Sequence, residues 1–167
     1  ILVGDSASNV MAGHETTLPI TLNEMIYHAS SVVRGVDRAL VVVDLPFGSY
    51  QGNSKEALSS AIRIMKESGA HSVKMEGGQE ILESITRILT AGIPVMGHIG
   101  FTPQYFKKFK VQGILEKDSY RLLDQAKKNQ EAGVFSIVLE CINEPTAKKI
   151  TNLIKIPTIG IGASVYC

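Results

Sequence analysis

Short apolar runs rich in Val and Ile recur at residues 1–3, 39–43, 71–75, 93–96, 136–139 and 157–161. They are continuous rather than alternating, the pattern of strands buried on both faces in a parallel sheet covered by helices. Between them lie segments of helical period over 22–34, 54–68, 79–90, 117–132 and 145–153. Thr21 with Glu24, and Asn53 with Glu56, read as capping boxes that open the first two. In the third, Ile81, Leu82, Ile85, Ile88 and Leu89 fall on one face. Gly35, Gly69, Gly92 and Gly133 stand just past four of the helices, where a left-handed residue is wanted.

Strand and helix therefore alternate to a sixth strand, which is an α/β fold. The strand ends recur at roughly 31-residue intervals, about the length of one βα unit. Eight such units need about 250 residues, the usual size of a (β/α)8 TIM barrel. This chain holds five units and a strand. A doubly wound open sheet needs no missing pieces, but no GxGxxG follows the first strand, Gly13 and Gly35 are wrongly spaced for one, and there is no P-loop. The chain opens on Ile1-Leu2-Val3 and stops at Tyr166-Cys167, each close to an apolar run. The expectation is a single barrel domain over 1–167, incomplete at both ends.

Composition narrows the partners. The 167 residues carry 17 Lys+Arg against 16 Asp+Glu, a formal charge of +1, and the charges are scattered. No basic stripe for nucleic acid is present. The longest uninterrupted apolar stretch, 39–43, is far short of the ~20 residues that cross a bilayer, so no membrane span is expected. Two cysteines, Cys141 and Cys167, form no CxxC pair, which fits a reducing, cytoplasmic setting.

The distinctive chemistry lies where the strands end. Asp5 closes VGDS, Asp44 closes VVVDLP, Lys74 and Glu76 close VKMEGG, His98 closes VMGHIG and Glu140 closes IVLEC. In a barrel these ends converge on the face where active sites lie. Asp5, Asp44 and Glu76 are oxygen ligands of the kind a hard cation such as Mg2+ selects. Singly, each residue has a plainer reading. Asp5 or Asp44 can cap a turn, Glu76 can be solvated, Lys74 can be an ion-pair partner and His98 a packed histidine. Glu140, at the edge of an apolar run, needs a reason to be there. The plainer readings do not explain finding all of them at strand ends.

Other features carry less. His14, His28 and His71 lack zinc spacing, Ser6 lies in no GxSxG elbow, and Cys141 points away from Glu140 toward the core. Residues 99–116, with Thr102-Pro103 and the cluster Lys107, Lys108 and Lys110, form the longest connection, either a solvated charge run or a lid or anion-binding loop.

Over Leu2 to Ala163 the strings VGDS, GHETTLPIT, DLPFGSYQ, SGAHSVKMEGG, AGIPVMGHIGFTPQ, KVQG, EAGVFSIVLEC and IPTIGIGA resemble the ketopantoate hydroxymethyltransferase family. The resemblance implies a (β/α)8 barrel of the phosphoenolpyruvate/pyruvate type, lacking its first and last strands in this chain. It implies Mg2+ at Asp5, Asp44 and Glu76, and the 2-oxo acid at Ser6, Asp5, Asp44 and Lys74. Glu140 matches the family's proton acceptor, and His98 an active-site histidine of open role. The implied reaction takes a hydroxymethyl group from 5,10-methylenetetrahydrofolate to 3-methyl-2-oxobutanoate, giving 2-dehydropantoate for pantothenate and coenzyme A synthesis. A homo-oligomer is implied as well. In such chemistry the cation acidifies the proton beside the carbonyl, Glu140 removes it from a partly apolar setting that raises its pKa, and Lys74 helps hold the enolate.

The chain also departs from the family. Ala7-Ser8-Asn9 stands where the family usually has Leu-Gly-Met, only Tyr105-Phe106-Lys107-Lys108-Phe109 lies between TPQ and KVQG, and Ser164 replaces a glycine. Two other readings stay open: another metal-dependent 2-oxo acid lyase or mutase of the same barrel superfamily, and an inactive truncated remnant.

Overall fold

The computed structural model describes residues 1–105 and 108–167. It divides into two compact units, one of residues 1–75 and 83–95 and the other of 76–82 and 96–167. The elements alternate as the apolar pattern predicts.

In the first unit, β1 (Leu2–Val3) pairs in parallel with β2 (Val42–Asp44), and β2 with β3 (Ser72–Glu76), whose last residue belongs to the second unit. The Val73 amide then bonds to the Pro94 carbonyl at the entry to β4 (Val95–Gly100). A short helix α1 (Ala7–Val10), where the sequence suggests only loop, follows β1 directly. Next comes α2 (Leu22–Arg34), opened by a complete Thr21/Glu24 capping box. α3 (Ser54–Ser68) has Asn53 Oδ1 accepting the Glu56 amide at 2.9 Å. α2 and α3 pack against each other, and Met25, Ala29, Ala57, Ala61 and Ile64 on them have essentially no exposure. Each larger side chain so buried contributes about 1.5–3 kcal/mol. α4 (Leu82–Thr90) turns Ile85 and Ile88 inward, as its period predicts.

In the second unit, β4 pairs in parallel with β5 (Ser136–Glu140), and β5 with β6 (Thr158–Ile161). α5 (Glu116–Ala132) and α6 (Glu144–Leu153) cover this sheet, and Leu122, Ala126, Ala147 and Ile150 meet Ile137 and Leu139 in one core. β2 and β3 are buried at every position, as continuous apolar runs require, whereas β6 exposes Ile159 and Ile161. The expectation of two-sided burial therefore fails for β6, and for β1 at Leu2, which is 41% exposed.

Three of the four expected helix stops are left-handed, Gly69, Gly92 and Gly133 at φ +75°, +85° and +104°. Gly35 is not. At φ −96° its amide closes the helix by bonding to the Val32 and Val33 carbonyls, a tightened last turn that any residue can make. No helix among the described residues is long and apolar enough to cross a membrane.

Candidate active site

Each strand-end residue lies at the C-terminal end of its strand or one or two residues away from it, because parallel strands joined by helices all run the same way. They form one cluster in each unit.

In the first unit, Asp44 and Lys74 are register partners on β2 and β3, and Lys74 Nζ lies 3.0 Å from Asp44 Oδ1. The Asp5 amide donates to Asp44 Oδ2, also at 3.0 Å. All three residues are buried, at 3–4% exposure. Ser6 caps α1 and is exposed, with no side-chain bond to the helix it opens. A Cβ on Gly4 would come within 2.9 Å of Ser6 Oγ and 3.6 Å of Asp44 Oδ2, so glycine there leaves room for hydroxyl and carboxylate together.

In the second unit, Glu76, His98 and Glu140 come together. His98 Nε2 is 3.0 Å from the Phe101 carbonyl oxygen and 3.3 Å from Glu140 Oε2. A carbonyl oxygen can only accept, so Nε2 carries the hydrogen. His98 Nδ1 faces Glu76 Oε1 at 3.7 Å, and Glu76 Oε2 accepts the Gln104 amide at 3.1 Å. Glu140 keeps 15% of its side chain exposed, against 2–3% for Glu76 and His98. β4 runs on to Gly100, four residues beyond the apolar run, which sets His98 inside the strand. Gly100 is the register partner of Glu140, and the Phe101 amide donates to the Glu140 carbonyl at 2.8 Å.

Gln104 and the Phe101 carbonyl escape a reading by ionisable residues. The string TPQ, directly after the histidine strand, was the available signal. Cys141, next to Glu140, is 6% exposed, and burial, with the Glu140 charge second, pushes its thiol pKa up. That fits a core residue and not a nucleophile. In the long connection Lys108 and Lys110 are exposed, and the Phe101 and Phe109 rings meet at 4.7 Å. Phe106 and Lys107 lie outside the described residues.

Among the described residues, no three or more His, Cys, Asp and Glu side chains gather as a metal site. Mg2+ does not need three, since it commonly takes one or two carboxylates and completes its shell with water and substrate. The first cluster has the matching donor chemistry. Asp44 Oδ1 is buried and has its ion-pair partner, Lys74, but no well-directed hydrogen bond.

The profile of the family described as ketopantoate hydroxymethyltransferase matches residues 1–167. The chain is 66% identical over 166 residues to the 3-methyl-2-oxobutanoate hydroxymethyltransferases of Flavobacterium johnsoniae and Cytophaga hutchinsonii, covering 98% of this chain and 61% of each relative. With that of Salinibacter ruber it shares 59% identity, over 63% of the relative. The chain thus spans about three fifths of the length of these curated relatives. A solved structure of a candidate phosphonomutase from Burkholderia cenocepacia J2315 superposes with a TM-score of 0.72 at 17% identity, over 95% of this chain and 68% of that one. A candidate lyase/mutase from the same organism gives 0.60 at 16% identity, over 84% and 52%. These likenesses show the fold alone, that of an incomplete α/β barrel. With the family profile spanning it from the first residue to the last, the chain belongs to the ketopantoate hydroxymethyltransferase family.

Proposed function

We propose that this chain supplies the 2-oxo acid and proton-transfer machinery of a hydroxymethyltransferase acting on 3-methyl-2-oxobutanoate. What carries the reading is the family match over all 167 residues, which includes every strand-end residue of both clusters.

Asp5 and Asp44, linked by the hydrogen bond from the Asp5 amide to the Asp44 carboxylate, would hold Mg2+, and Glu76 joins them on the resemblance alone. When bound, the cation draws electrons from the keto group and makes the C3 proton removable. The Ser6 hydroxyl and the Lys74 ammonium bind the oxygens of the 2-oxo acid. Lys74 is held by Asp44 at 3.0 Å, so its charge is in position before negative charge develops on the substrate. Glu140 accepts the C3 proton. His98 Nε2 donates to the Phe101 carbonyl, which fixes the ring with Nε2 3.3 Å from the Glu140 carboxylate. The partial exposure of Glu140 lets the proton pass on to solvent.

The C3 carbon then forms its bond to the methylene carbon of 5,10-methylenetetrahydrofolate. The two carbon–nitrogen bonds of that methylene break, water supplies the hydroxyl, and tetrahydrofolate leaves with 2-dehydropantoate. The near-neutral charge agrees with small-molecule substrates. A cytoplasmic homo-oligomer remains part of this proposal.

The test is product formation from both substrates with Mg2+, followed by mass spectrometry. The reading requires 2-dehydropantoate only when acid, folate and cation are all present. Product without folate, or none with all three, contradicts it.

A further inference from the structure

A cavity of about 300 Å3 opens in the second unit. Its wall includes Gly77, the residue after Glu76, and Gly100, the register partner of Glu140. A group seated there is therefore next to the backbone that carries both carboxylates. Both glycines have positive φ, +137° and +102°, so a side chain at either would be strained. A Cβ on Gly77 would meet Glu80 Oε1 at 2.7 Å, and one on Gly100 would meet the Glu140 carbonyl oxygen at 2.2 Å. The remaining wall has mixed chemistry: the Tyr105 ring, the Glu80 carboxylate, the Arg121 guanidinium and the Gln125 amide. Arg121 Nη1 donates to Gln125 Oε1 at 3.4 Å, and Gly78 donates to Glu80 Oε1 at 2.9 Å, so both polar groups are held in place.

The charges in this wall are one of each sign. Glu80 would repel a phosphate or a free carboxylate, and Arg121 a cation. A neutral ring that offers donors and acceptors on one edge suits it, and the volume, at the low end for ligand pockets, suits one bicyclic ring and not a larger molecule. We infer that this cavity seats the pteridine ring of the one-carbon donor, a deepening that rests on the hydroxymethyl-transfer reading above. The amino and N–H edge of the ring faces Glu80 and Gln125, its carbonyl oxygen faces Arg121, and its plane lies along Tyr105. The aminobenzoyl-glutamate tail leaves through the open side.

The test is binding of tetrahydrofolate, without the 2-oxo acid, by calorimetry in the wild type and in Gln125→Leu and Arg121→Met. Arg121 is half exposed, so its variant leaves folding intact and covers a folding defect in the other. Each variant is expected to weaken binding about tenfold, the effect of one lost well-placed hydrogen bond to the ligand. Wild-type binding with both variants unchanged overturns the cavity assignment alone. No binding to the wild type overturns the folate-dependent reading itself.

Discussion

Asp44 and Lys74 face each other as register partners on neighbouring parallel strands, and their side chains meet at 3.0 Å with 5% and 3% of their surface exposed. Two charges that far from water are stable only together, since each would otherwise carry an unrelieved desolvation cost. Lys74→Ala should therefore destabilise the chain by about 3–5 kcal/mol, because it strands the Asp44 carboxylate. The double variant Asp44→Asn with Lys74→Met should lose less than the two single losses added together. Urea denaturation checks both, and additive losses would mean that the pair does not act as a unit.

Gly100 is the tightest position beside Glu140. Its φ is +102°, and a Cβ would lie 2.2 Å from a backbone oxygen that cannot step aside without moving β5. Gly92 has a similar φ, +85°, but open space around it. Gly92→Ala should cost about 1–2 kcal/mol, the left-handed penalty alone, and Gly100→Ala clearly more. Equal shifts in the unfolding midpoint would sink the comparison.

Ser164 has φ +108°, a conformation made for glycine. Ser164→Gly should stabilise the chain by about 1 kcal/mol, the lower end of what such strain costs. A lower melting temperature in the variant would count against the strained geometry.

Cys141 is buried, and burial together with the nearby Glu140 charge raises its thiol pKa. A raised folded pKa means that the stability held by the neutral thiol is complete below the ordinary thiol pKa, and is lost as pH climbs through the folded one. At pH 8 iodoacetamide should label the half-buried Cys167 well before Cys141. Peptide mapping of the alkylated protein decides the order, and faster labelling of Cys141 would contradict the burial argument.

How much the sequence disclosed follows from the range of each interaction. The Thr21/Glu24 box and the left-handed Gly69, Gly92 and Gly133 were legible because caps are set within a few residues. Gly35 misled because a helix can also stop by tightening its last turn. Strand-end chemistry was legible because a parallel α/β order sends every strand the same way. The partners were not. That Asp44 meets Lys74, and His98 meets Glu140, depends on the register between strands distant in sequence, which no local pattern encodes. Gln104 stayed hidden because it acts through its backbone amide, which every residue but proline possesses.

The account stands on Glu140 as the base that removes the C3 proton. The measurement that tests this most directly is deuterium exchange at C3 of 3-methyl-2-oxobutanoate in deuterium oxide, read by proton NMR, with and without Mg2+, in the wild type and in Glu140→Gln. No folate is needed, so donor binding does not enter. The account predicts Mg2+-dependent exchange that falls by about 100-fold or more in Glu140→Gln, the usual weight of a general base. Exchange at an undiminished rate in Glu140→Gln, or none in the wild type with Mg2+ present, would contradict it.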